Sequence, residues 1–188
     1  MPAERAYVPN MTHPLMTAEE LLATNIPNKN TELVRGRLVV RELSGAHHGI
    51  TTAALAAQLG NHLHLTGAGL AVIAAGFTLF RAPDTVRAPD IAFVRRERLP
   101  SRISDTYLEL APDLVIEVLS PNDRPGEILA KVADWLEAGS RLVWVIDPER
   151  RIGRIYRQDG TENSITADGQ LDGEDVLPGF SCPLVSIP

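Results

Sequence analysis

The chain has 188 residues, a net charge of −6 and a hydrophobic fraction of 44%. That length suits one domain, and that fraction excludes a disordered polypeptide. Cys182 is the only cysteine, which excludes an intrachain disulfide, and the longest apolar stretch, 70–80, is too short and interrupted to cross a bilayer as a helix.

No charged segment followed by a long apolar run opens the chain, so the reading is a cytoplasmic protein. Residues 1–15 carry three prolines and no periodicity, which predicts a flexible arm before a single domain over 16–188. Thr17 followed by Glu20 is a capping box for a short helix that contributes Leu21 and Leu22. A polar loop over 26–30 leads into TELVRGRLVVREL, a hairpin turning near Arg35 and Gly36, with Glu32 beside Leu33 and Val34.

A helix is predicted over 47–65, with Ile50, Ala54 and Ala57 on one stripe and Leu55, Leu59 and His62 beside it. Its alanines suit close packing on a sheet, and Gly67 to Gly69 ends it. Strands are expected near 70–75 and 77–82, then a turn-rich link PDTVRAPD, then a strand over 90–95. An irregular or partly helical excursion over 96–112 closes at Pro112.

DLVIEVLS is a strand over 113–119, almost wholly apolar and so buried on both faces, yet Glu117 stands in it. Pro125 suits a first helical turn, Asn122 or Asp123 can cap that helix, and Gly139 stops it. A further apolar strand over 141–147 completes a right-handed parallel unit. RIGRIYRQDGTENSIT then reads as a hairpin turning at Asp159–Gly160. The end of the chain near Leu177–Ile187 is apolar and can cover a partner subunit.

Charge is unevenly spread. Residues 159–175 hold six acids and no Lys or Arg, and the remainder balances at 18 against 18. From Arg81 to Arg102 there are six arginines against Asp84, Asp90 and Glu97. That run suits either a phosphate-contacting face or an ordinary solvated loop.

Three residues break the apolar pattern. A carboxylate on a buried strand loses solvation worth several kcal/mol unless a cation or donors compensate, so Glu117 needs a partner. Asp90 opens the strand DIAFV on the same face as Ala92 and Val94. Lys131, one of two lysines among 18 basic residues, falls at the edge of the stripe formed by Ile128, Val132, Trp135 and Leu136. From there it either sends its ammonium toward the sheet or stays at the surface. Asp113 lies four residues before Glu117, too far along a strand to share one ion with it.

Two carboxylates and a lysine at adjoining strand ends suit phosphodiester hydrolysis. A divalent cation neutralises the acids and activates water, and a lysine stabilises the developing charge. Hard oxygen ligands favour Mg²⁺ or Mn²⁺. His62 and His64 are two apart on a helix and cannot clasp one metal. His47 and His48 read as capping or solvent-exposed imidazoles, and a single Cys disfavours structural zinc. Asp123 and Asp147 read as turn and cap residues, Trp135 and Trp144 as core.

The order helix 47–65, strand 70–82, strand 90–95, strand 113–119, helix 124–139, strand 141–147 resembles the PD-(D/E)XK nuclease core. TELVRGRLVV, APDIAFV, LVIEVLSPNDR, the Lys131 helix and LVWVIDP resemble the bacterial Uma-type endonuclease-like family over about residues 17–185. The resemblance implies an α/β restriction endonuclease-like fold. Its αβββαβ core is a mixed central sheet flanked by helices, with an N-terminal helix and hairpin and a C-terminal hairpin extension. It implies a Mg²⁺-dependent endonuclease acting on DNA, with metal acids at Asp90 and Glu117, an accessory acid at Glu32, the lysine at Lys131, and a homodimer. Where the general motif has Glu-x-Lys this chain has Leu119, so the lysine has to come from the next helix. The alternative is a non-catalytic module of the same fold that binds nucleic acid or a protein, with Glu117 and Lys131 as a structural ion pair.

Overall fold

The computed structural model describes residues 14–188, so the arm expected at 1–15 lies outside the described residues up to residue 13. Helix α1, Ala18–Ala23, starts at the expected capping box: the Glu20 amide donates to Thr17 Oγ1 and the Thr17 amide to Glu20 Oε2. Leu21 is buried and Leu22 is exposed. Strands β1, Lys29–Val34, and β2, Arg37–Glu42, form the expected hairpin. Its turn uses left-handed backbone at Arg35 (φ 49°) and Gly36 (φ 75°), the geometry that matches strand twist.

Helix α2, Ala46–Thr66, ends at left-handed Gly67. Its buried line is Thr51, Leu55, Leu59 and Leu63, spaced four apart, whereas Ile50 and Ala57 are exposed. The predicted stripe was therefore misplaced, because an alanine-rich helix offers several weakly apolar stripes and only the leucines distinguish one.

The region after α2 departs most from expectation. Strand β3, Gly69–Ile73, and strand β4, Phe77–Phe80, belong to different sheets. Ala74 takes a positive φ between them, and Gly76 lies so close to Tyr107 that a Cβ would fall 2.3 Å from its ring. The link read as turn-rich contains strand β5, Thr85–Arg87, all buried. It joins β1 to β4 in a four-stranded sheet ordered β2-β1-β5-β4.

The main sheet contains β6, Ile91–Arg95, β7, Leu114–Val118, β8, Leu142–Asp147, β9, Ile152–Arg157, and β10, Glu162–Ile165. With β3 its order is β10-β9-β8-β7-β6-β3. Within this sheet, among the described residues, only β7 and β8 pair in parallel, across the crossover helix α3, Pro125–Glu137. The sheet is thus mixed and flanked by helices, as expected. Residues 170–172 and 181–183 form a further two-stranded ladder, β11 and β12.

Strand β7 is buried throughout, so its alternation divides the core in two. Leu114, Ile116 and Val118 pack toward α2 together with Trp144 and the C-terminal residues Leu177, Phe180, Cys182, Leu184 and Ile187. The apolar C-terminal segment therefore completes this chain's own core, which corrects its reading as a cover for a partner subunit. Val115 on the opposite face packs with Ala92, Val94, Val143 and Val145 against Val132 and Trp135 of α3. Among the described residues no helix is long and apolar enough to cross a membrane.

Candidate active site

The site forms where β6 enters and β7 leaves the main sheet. The antiparallel register that sets Ile91 against Ile116 brings Asp90 level with Glu117. The ladder stops there, and Asp90 takes over its role: Asp90 Oδ2 accepts the Val118 amide at 2.7 Å. Asp90 stays partly open to solvent, while Glu117 is 4% exposed.

Helix α3 supplies the compensation that Glu117 requires. Lys131 is buried, which settles the choice left open by its place at the edge of the stripe. Its ammonium donates to Glu117 Oε2 at 2.8 Å and to the Ala88 carbonyl at 2.9 Å, and stands 3.3 Å from Glu32 Oε1. One turn on, the Trp135 indole donates to Glu117 Oε1 at 2.9 Å. Trp135 is core, as read, and is also a ligand of the carboxylate.

Glu32 enters from the second sheet through β1. Its Oε2 accepts from Arg87 at 2.9 Å and its Oε1 accepts the Ala88 amide at 3.0 Å. Arg87 also grips Asp134 of α3, through Nε at 2.8 Å and Nη2 at 2.5 Å. Arg41 of β2 lies 3.5 Å from Glu32. The peptide of Ala88, two residues before Asp90, is thus held between Glu32 and Lys131.

The two carboxyls on Lys131 have opposite electrostatics. Burial would raise Glu32, but Lys131, Arg87, the Ala88 amide and Arg41 outweigh it and bring its pKa to about 2. Burial raises Glu117 to about 7, because Lys131 opposes the negative charge of Asp90 and Glu32 only in part. Lys131 itself is pushed up despite its burial, since it faces Glu117, Glu32 and Asp90 at once.

Arg87, Asp134 and His48 were not recognised from sequence. His48, in the first turn of α2, places Nε2 3.1 Å from Asp90 Oδ1. The Asp90 carboxylate beside it raises its pKa against the effect of burial. His48 is therefore neither a cap nor a solvent imidazole. Asp123 does not cap α3; it accepts the Ser120 amide at 2.7 Å, and the N-cap position is Arg124, without a side-chain cap. Asn122 makes no cap there either. Asp147 accepts from Arg150, in keeping with a turn role. Asp113 is buried at the far end of β7, where Arg98 lies 2.8 Å away.

The arginine run does not form one free basic face. Arg81 pairs with Glu19, Asp84 and Glu109. Arg87 is buried, Arg95 and Arg98 turn to Asp113, and Arg96 donates to the Gly67 carbonyl.

Among the described residues no group of three or more His, Cys, Asp or Glu is arranged to hold a metal ion. The donors present are two carboxylates, Asp90 and Glu117, each oxygen of which already accepts one hydrogen bond or ion-pair contact.

A search among curated proteins gives no match. Among solved structures, the chain is similar to the crystal structure of a putative nuclease belonging to DUF820 from Anabaena variabilis ATCC 29413. The TM-score is 0.80 at 18% identity, over 92% of this chain and 97% of that one, a likeness that shows the fold. The model of the Uma2 family, described as "Putative restriction endonuclease", matches residues 18–185, and the chain belongs to that family.

Proposed function

We propose that this protein is a metal-dependent nuclease that hydrolyses DNA phosphodiester bonds, with Mg²⁺ or Mn²⁺ held by Asp90 and Glu117. The observation that carries the reading is the pairing of those two acids across the end of the β6–β7 ladder, with Lys131 on one of them. The donor set fits such an ion. Both ligands are hard oxygens, and each carboxylate oxygen retains a second lone pair. Mg²⁺ is usually bound through one or two carboxylates, with waters and phosphate oxygens completing its shell. A cluster of three protein side chains is therefore not needed, and the partial exposure of Asp90 gives access from solvent.

When bound, the ion supplies positive charge to the phosphate and acidifies water. The chain's own residues do the rest. Lys131 holds a fixed positive charge beside Glu117, placed to stabilise negative charge as it develops on the phosphate. Glu32, anchored by Arg87, fixes the lysine from behind, and the Trp135 indole fixes the rotation of Glu117. The test is cleavage of supercoiled plasmid with and without Mg²⁺. The wild type should cut only with the metal, and Glu117→Gln should not cut. A variant as active as the wild type would remove Glu117 from the site.

A second reading has its own support. The Lys131–Glu117–Trp135 cluster is satisfied within the protein, and Lys131 also donates to the Ala88 carbonyl. Such a cluster suits a non-catalytic module that binds nucleic acid or a protein. On that reading the wild type binds its partner with no metal and leaves DNA intact.

A further inference from the structure

We infer that His48 is the positioning residue for Asp90, fixing the orientation in which that carboxylate takes a divalent cation. The inference rests on the metal-dependent reading above and adds a residue to it.

Asp90 stands just before β6, its own carbonyl accepting the Ala74 amide at 3.2 Å, and its two carboxylate oxygens are held from different elements. Oδ2 is tied to the Val118 amide on β7. That single bond leaves the carboxylate free to swing about the bonded oxygen. The contact of His48 Nε2 with Oδ1, 3.1 Å, supplies the second point and fixes the plane. With one contact on each oxygen, each retains a second lone pair for a cation.

The placement of His48 follows from the fold. Gly45 starts α2 without a side-chain cap, and the first turn carries His48 to the end of the main sheet. The imidazole is 11% exposed, so it is held at the mouth of the site rather than in solvent. Asp90, at the entry to β6, is in contact with it, and the negative charges of Asp123 in the loop before α3 and Glu117 on β7 also act on it. Lys131, on α3, contacts Glu117 and Glu32 and not Asp90. The two carboxylates are therefore oriented by different groups: Glu117 by Lys131 and Trp135, Asp90 by Val118 and His48. Hydrogen-bond partners behind ligand carboxylates change metal affinity or activity by about 10–100-fold when removed.

The experiment is calorimetric titration of Mn²⁺ alone into the wild type, His48→Ala and His48→Gln, with melting of each protein in EDTA as the structural control. His48→Ala should melt like the wild type in EDTA but bind Mn²⁺ about 10–100-fold more weakly. His48→Gln, whose amide can donate from a similar position, should recover most of that loss. Adding His48→Ala to Asp90→Asn should weaken binding no further than Asp90→Asn alone. If the wild type binds Mn²⁺ and His48→Ala binds it equally well or more tightly, this inference is wrong and the proposed function stands. If the wild type binds none, both fall.

Discussion

The two ends of the Lys131 cluster contain the same residue type in opposite circumstances. At one end Glu32 is met by Arg87, Arg41, Lys131 and a backbone amide, and its charge is strongly favoured. At the other end Glu117 and Asp90 stand level across two strands with Lys131, Trp135 and His48 around them, and the charge of Glu117 is disfavoured. The Glu32 end is electrostatically complete. The Glu117 end is short of positive charge and open at Asp90. A buried charge met by well-placed donors is architecture, and the pair of acids short of positive charge is where the proposed function puts its cation.

The comparison can be broken by substitution, and the largest effect lies at the complete end. Arg87→Met leaves Asp134 without its guanidinium partner and Glu32 without one of its two nearest cations, and should cost about 3–5 kcal/mol in urea denaturation. A cost under about 1 kcal/mol would mean that Glu32 is not held as described.

Acidity should separate the two ends next. The Glu32 carboxyl moves from an ordinary 4.5 to about 2 on folding. Its contribution, about 3 kcal/mol, is present above pH 4.5 and lost as pH falls through 2. Glu117 is raised from 4.5 to about 7, so its contribution is present below pH 4.5 and lost as pH rises through 7. In metal-free protein Glu32→Gln should flatten the acid limb of the stability profile and Glu117→Gln the neutral limb. Exchanged effects would reverse the assignment.

At pH 7 the same contrast makes Glu117→Gln less costly than Glu32→Gln, by about 1 kcal/mol or more in thermal or urea unfolding. Equal costs would remove the distinction. Smallest is Arg41→Ala. Arg41 lies 3.5 Å from Glu32 and Glu127 and 3.9 Å from Asp123, and is partly exposed. Its loss should cost no more than about 1 kcal/mol, and a larger effect would make Arg41 a main anchor of Glu32.

Much of the Glu117 end was legible in the sequence. Leu114–Val118 reads as a buried strand, a carboxylate inside it is an anomaly, and the β7–α3–β8 crossover brings Lys131 over it. Alternation also placed Asp90 on the face of Ala92 and Val94, the face of Glu117's strand neighbour Val115. The Glu32 end was not legible beyond Glu32 itself. Strand β5 is three residues long, and its Leu33–Val86 pairing spans the chain from β1 to β5. A three-residue strand shows no periodicity, and PDTVRAPD, with its two prolines, reads as a link. Arg87 was hidden for that reason, and with it the role of Asp134. His48 was hidden differently: its position in α2 was predicted, but its contact depends on how that helix meets the end of the main sheet. Helical spacing gives the face of a residue and not what the fold sets opposite it.

The most direct test of the central claim is Mn²⁺ titration of the wild-type protein beside an Asp90→Asn, Glu117→Gln double variant, with circular dichroism to show that both are folded. If Asp90 and Glu117 hold the ion, the wild type binds one Mn²⁺ and the variant none. A wild type that binds no Mn²⁺ at millimolar concentration, or a variant that binds it as well as the wild type, would contradict it.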